Sequence, residues 1–154
     1  MLGNGSISRV LEASGRDVVS TDLVDRGYGQ GGVDFFRVDV PPTKAIVTNP
    51  SFALAREMIE HAAQIGIDYI AFLQQPHWLN TQKMGRTVEE VWCPDRTYHL
   101  LFRADFRNQG APPQPINWWI FERHSMKRTV WRARQLWRPA AAPARHQNRR
   151  HEKS

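Results

Sequence analysis

Apolar residues in the first half of the chain follow two periods, one typical of helices and one typical of short strands. In residues 6–14, Ile7, Val10 and Leu11 recur at helical spacing, which predicts a short helix ended by Gly15. Residues 17–22 predict a strand that ends at an acidic residue, followed by a glycine-rich loop over residues 23–33. The remaining strands and helices are therefore expected after this loop.

The middle of the chain repeats a strand–helix–strand pattern. Residues 45–48 form a short β-branched run of the kind found in buried parallel strands. An amphipathic helix is predicted between Ser51, its cap, and Gly66, its end, with an apolar face formed by Leu54, Met58, Ile59, Ala62 and Ile65. Residues 68–73 form another apolar run of strand length. This alternation predicts a β-α-β unit with its ligand-binding edge at the carboxyl ends of the strands.

Two late strands are predicted over residues 98–102 and 117–121, separated by a proline-rich loop without a helix. We therefore expect an α/β fold with a mostly parallel sheet and an antiparallel pair at one edge. Residues 1–122 would form this domain. Residues 123–137, with apolar residues at heptad-like spacing (Met126, Val130, Ala133 and Trp137), would form a docking segment, and residues 138–154 a disordered basic tail.

Composition narrows the class of protein. The 154 residues are enough for one core, and the single Cys93 excludes an internal disulfide. Apolar runs are shorter than the ~20 residues that span a membrane, which favours a soluble, cytoplasmic protein. Six tryptophans are many for this length, and those of the C-terminal segment offer a surface for self-association.

The positive charge is confined to the C-terminal end. Residues 1–121 carry 11 Lys and Arg against 13 Asp and Glu, whereas residues 122–154 carry 10 against 2. Such a basic segment suits nucleic acid, and a solvated tail would have the same composition. The six histidines show no metal-ligand spacing, so no metal is predicted.

Four short motifs with chemical potential follow one another: Gly3-Asn4-Gly5, Asp22, Asp34-Phe35 and Asn49-Pro50-Ser51-Phe52. Glycines before a helix let the backbone approach a ligand, and an acidic residue at a strand end can bind ribose hydroxyls. Taken alone, the glycines and Asp34-Phe35 are more typical of an ordinary turn or strand end, and Asp22 fits either reading equally well. Only their order gives them weight.

The fourth motif is sharper because Asn49 follows an apolar strand and therefore lies at its carboxyl end. Pro50 keeps Asn49 out of the helical region. The Asn49 side-chain oxygen and the Pro50 carbonyl could then accept hydrogen bonds from one amino group, while Phe52 stacks on a planar substrate. The same residues would also suit a plain strand-to-helix turn.

In this order the motifs resemble class I S-adenosylmethionine-dependent methyltransferases, and in particular the amino-methylating group marked by Asn/Asp-Pro-Pro-Phe/Tyr. The similarity covers roughly residues 3–121 and extends to bacterial and phage adenine-N6 methyltransferase-like proteins. It implies a Rossmann-like sheet. It also implies that the target nitrogen is held by Asn49, Pro50, Ser51 and Phe52, and that S-adenosylmethionine is held by Gly3, Asn4, Gly5, Asp22, Leu23, Asp34 and Phe35.

Two departures from the family pattern affect this expectation. The family's first strand precedes the glycine pair, and here only Met1 and Leu2 do, so we expect the sheet to lack that strand. Ser51 replaces the second proline of the motif and relaxes the loop, which is expected to reduce activity.

The leading hypothesis is an N-methyltransferase acting on an exocyclic amino nitrogen, with adenine in DNA as its substrate. RNA bases and a protein glutamine amide are alternatives within the same family. The rival hypothesis is a non-catalytic remnant or binding module, supported by the missing strand. A dinucleotide-dependent oxidoreductase is disfavoured, since Gly3-Asn4-Gly5 lacks the later glycine of that motif.

Overall fold

The computed structural model describes residues 5–102, 115–123 and 132–136, the last group for its backbone alone. Its helices and strands are, in chain order, α1 (Ser6–Ala13), β1 (Ala45–Thr48), α2 (Ala55–Gln64), β2 (Tyr69–Gln74), α3 (Gln82–Glu90), β3 (Arg96–Leu100), β4 (Asn117–Glu122) and β5 (Arg132–Leu136). Short 3-10 turns cover Phe35–Arg37 and Trp78–Asn80. The α/β class is thus confirmed.

The five strands form one mixed sheet in the order β1-β2-β4-β3-β5. β1 pairs with β2 in parallel and β3 pairs with β5 in parallel, while β4 is antiparallel to both β2 and β3. β1, β2, β3 and β5 therefore run in one direction and β4 alone opposes them, which makes the sheet mixed. β3 and β4 do form the expected antiparallel pair, but β4 lies inside the sheet, where both of its edges are hydrogen-bonded.

The β1-α2-β2 unit agrees with its sequence pattern. α2 buries Ala55, Met58, Ile59 and Ala62 along one stripe, as the helical spacing requires. Gly66, at a φ of +81°, lets the chain reverse into β2. The helix starts later than predicted, because the Ser51 carbonyl accepts the amides of Leu54 and Ala55 in a turn that precedes it.

The core lies between α2, α3 and one face of the sheet. Ile70 and Phe72 of β2 and Trp119 and Phe121 of β4 pack on the buried stripe of α2. Phe121 contacts three aromatic rings, those of Phe72, Trp78 and Trp92, at centroid distances of 6.1–6.4 Å. These ring contacts fix β4 next to β2.

The region before β1 differs most from its prediction. α1 forms as expected, but residues 17–22 do not form a strand of the sheet; the Thr21–Gln30 pair is an isolated bridge. The segment packs instead on α1, where Ser20 donates to Ser8 at 2.8 Å. The expectation that the sheet lacks the first strand of the resembled family stays a prediction.

Only part of the C-terminal region is described. Residues 132–136, inside the predicted docking segment, form β5 and pair with β3. The docking role of residues 123–137 stays a prediction. The predicted tail over residues 138–154 lies outside the described residues. No helix in the described part of the chain has the length and apolar character needed to cross a membrane.

Candidate functional site

The predicted acceptor loop, residues 49–52, follows β1 at the carboxyl end of the parallel β1–β2 pair. Asn49 is exposed, Pro50 is buried, and Phe52 leaves 48% of its surface exposed. An exposed phenylalanine beside an exposed asparagine offers a flat apolar face next to a polar side chain. Both side chains therefore lie where a ligand could reach them.

The Pro50 carbonyl, which was expected to accept the target amine, already has one partner. The Gln74 side chain donates from Nε2 to this carbonyl at 2.5 Å. Gln74 is the last residue of β2, and the parallel register of Thr48 with Phe72 brings residue 50 level with residue 74. A carbonyl oxygen has two lone pairs, so one acceptor position on Pro50 remains for a second donor.

A second loop, residues 75–77, follows β2 and stands beside the acceptor loop. The exposed His77 ring lies 6.1 Å from the Phe52 ring, centroid to centroid, with 27° between the planes. The two loops therefore form one surface.

A polar row crosses the sheet at this end. Gln74 pairs across β2 and β4 with Asn117, which in turn pairs with His99 of β3, so the three side chains share one face of the sheet. The Asn117 Nδ2 atom lies 3.0 Å from His99 Nδ1. Two residues further into the sheet, the same face carries Phe72 and Trp119. The face thus changes from apolar to polar at the acceptor loop.

The predicted cofactor residues lie in the region before β1 and are engaged within it. Asp22 is only 6% exposed. Its carboxylate accepts the Val24 amide at 3.2 Å and faces Arg26 at 3.6 Å. Leu23 beside it is exposed. Asp22 therefore stabilises its own loop, and a ribose would have to compete with these contacts.

Asp34 and Phe35 form a turn that joins this region to α2. Asp34 accepts the Phe36 amide at 3.0 Å, caps the 3-10 turn and faces Arg37 at 3.6 Å, yet it stays partly exposed. The Phe35 ring packs edge-on against His61 at 5.1 Å. An adenine could reach the Asp34 carboxylate, whereas the Phe35 ring is already used in packing.

Gly5 begins α1 with a φ of +78° and is buried under a tyrosine. A Cβ placed there would lie 2.4 Å from Cδ1 of Tyr28, so only glycine fits. Gly3 and Asn4 lie outside the described residues. The glycine is required by the local packing, and its predicted role toward a cofactor stays a prediction.

Sequence reasoning missed Gln74, His77 and the Asn117–His99 pair. One local signal was available: a buried strand that ends at Gln74 and is followed by Gln75-Pro76 repeats the arrangement of β1 followed by Asn49-Pro50. Across residues 5–102, 115–123 and 132–136, no three His, Cys, Asp or Glu side chains are grouped as a metal site requires.

Compared with protein-family models and with curated proteins, the sequence matches none of them.

Proposed function

We propose that this chain is an S-adenosylmethionine-dependent methyltransferase domain with a Rossmann-like sheet, acting on an exocyclic amino nitrogen, and that its substrate is adenine in DNA. The observation that carries the proposal is the acceptor loop. Its Asn49 and Phe52 are exposed together at the carboxyl end of a parallel strand, the edge where α/β sheets bind ligands.

Each group of the loop has a defined task in this proposal. An exocyclic amine is a weak nucleophile because its lone pair is delocalised into the ring. The Asn49 side-chain oxygen and the second lone pair of the Pro50 carbonyl would accept hydrogen bonds from its two N–H groups and draw the nitrogen toward tetrahedral geometry. Phe52 would stack on the base, and a base in duplex DNA would first be flipped out of the helix.

S-adenosylmethionine supplies an electrophilic methyl group when bound. Its fit to this chain is uneven. Both carboxylates already accept a backbone amide and face an arginine at 3.6 Å, so each would have to share or release these contacts. Asp34 is the more exposed of the two and is therefore the easier one for an adenine amino group to reach. The residues that would hold the cofactor are thus Gly5, Asp22 and Asp34, and no step of the chemistry depends on their side chains acting as acid or base.

The buried and paired state of Asp22 favours a second candidate, a non-catalytic binding module that keeps the acceptor loop without a working cofactor site. Titration calorimetry with S-adenosylmethionine separates the two. Saturable binding that weakens in an Asp34→Ala variant supports the enzyme. The absence of binding refutes it and leaves the module.

Methyl transfer is the second test. Tritium-labelled cofactor is incubated with single-stranded and duplex oligonucleotides, with RNA and with a glutamine-containing peptide. We expect label in adenine-containing DNA, a loss of about 100-fold in kcat for Asn49→Ala, and a KM rise of about 10-fold for Phe52→Ala. The exposed residues Asn80 and Leu54 provide matched alanine controls. Transfer to RNA or to the peptide alone would reject DNA as the substrate.

The basic C-terminal region supports nucleic acid as the partner. If its arginines contact phosphates, affinity for DNA will fall as salt rises, and removing residues 138–154 will flatten that dependence. An unchanged slope would assign the contacts to another surface.

A further inference from the structure

The buried Gln74 links the ends of the two parallel strands. It is 3% exposed, and its side-chain Nε2 donates to the Pro50 carbonyl at 2.5 Å. A carbonyl only accepts hydrogen bonds, so the amide must present its NH2 group to Pro50 and its oxygen elsewhere. The orientation of this side chain is therefore determined by its partner.

We propose that Gln74 is a positioning residue that holds the Pro50 carbonyl in the direction needed to accept the target amine. In the resembled family a second proline stiffens the loop, and this chain has Ser51 in that place. The Gln74 amide supplies from the neighbouring strand the restraint that Ser51 lacks. The role of Gln74 in methyl transfer rests on the proposed function. The hydrogen bond from Gln74 to the Pro50 carbonyl, called the tether below, does not.

A second observation distinguishes Gln74 from a residue kept for packing. Its Oε1 atom is buried and has no hydrogen-bond partner among the described residues. Burying an acceptor in this way is unfavourable, and a leucine of similar size would avoid the cost. Stability alone thus does not account for a glutamine here, whereas its donation to the acceptor loop does.

The tether restricts the loop at the point where precision matters. Thr48 ends β1 and is buried, and α2 begins at Ala55, so the intervening residues are held at both ends but have no ladder hydrogen bonds of their own. The Ser51 carbonyl accepts the Leu54 and Ala55 amides on the helix side, and the Gln74 bond anchors the stretch on the strand side, two residues after β1. Small displacements of a group that positions a substrate cause large losses in rate.

The first experiment needs no enzymatic activity. Pro50-Ser51 is the only Pro-Ser pair in the sequence, so labelling proline carbonyls with carbon-13 and serine amides with nitrogen-15 gives one correlated signal. We expect Gln74→Leu and Gln74→Met to move the Pro50 carbonyl signal to lower frequency, because its hydrogen bond is lost. Gln75→Leu, at the adjacent half-buried glutamine, should leave it in place. An unmoved signal in a folded Gln74 variant overturns the tether.

The second experiment tests the role in methyl transfer with a double-mutant cycle. Gln74→Leu should lower kcat about 10-fold with little change in KM, and Ser51→Pro alone should raise turnover. In the Ser51→Pro background the Gln74→Leu loss should shrink to less than about 2-fold, because proline restores the restraint. An equal loss in both backgrounds overturns the positioning role. If no variant transfers methyl groups, the proposed function fails, and the carbonyl signal still decides on the tether.

Discussion

Replacing Phe121 with alanine tests the least expected feature of the fold, the position of β4 inside the sheet. Phe121 is fully buried, with the Phe72 ring at 6.4 Å, the Trp78 ring at 6.4 Å and the Trp92 ring at 6.1 Å. If β4 instead formed the outer edge of the sheet, one flank of this ring would be open to solvent.

The expected cost follows from this environment. Truncating a buried phenylalanine to alanine removes about 3–5 kcal/mol of unfolding free energy, through lost burial and the cavity that remains. The three tilted ring contacts place the value in the upper half of that range. Domains of this size unfold with about 5–15 kcal/mol. The variant should therefore remain folded but lose a large part of its stability.

Urea unfolding followed by tryptophan fluorescence measures this loss, since Trp78 and Trp92 touch the deleted ring. Val40→Ala, at a residue 85% exposed, is the matched control and should change stability by less than about 0.5 kcal/mol. A loss below about 1.5 kcal/mol for Phe121→Ala would show that the ring is not enclosed and that β4 does not lie between β2 and β3.

Three further predictions concern the region before β1 and the buried thiol. Gly5→Ala should destabilise the chain more than Gly15→Ala, because both glycines have φ near +80° but only the first variant places a Cβ against Tyr28. Urea unfolding of the two variants measures the difference, and equal losses of stability would contradict the contact with Tyr28. Burial raises the pKa of the Cys93 thiol, so the folded state favours the protonated form. Alkylation of Cys93 at mildly alkaline pH should be slower in the native than in the denatured protein, and equal rates would refute the burial of the thiol. The stability of the fold should fall as pH rises above the ordinary thiol pKa, and the Cys93→Ala variant should not show this fall. Asp22→Ala should cost about 1 kcal/mol, through the loss of its loop contacts; a change within error would mean that the carboxylate does not stabilise the loop and is available to a ligand.

Local patterns in the sequence were sufficient for the elements that depend on neighbouring residues. The helical spacing before Gly15 and Gly66 located α1 and α2, and the β-branched run over residues 45–48 located β1. The exposure of Asn49 and Phe52 after that strand also followed from the sequence. A proline after a buried strand ends the strand in any fold.

Only the tertiary structure decided how distant segments pair. Backbone hydrogen bonds form equally well between many strand pairs, so no local pattern indicates that β4 enters between β2 and β3. Residues 17–22 have a strand-like composition, yet they pack on α1 and bury Asp22. The Gln74 bond to Pro50 joins residues 24 positions apart. Its existence depends on the register of two strands, which packing of the whole core determines.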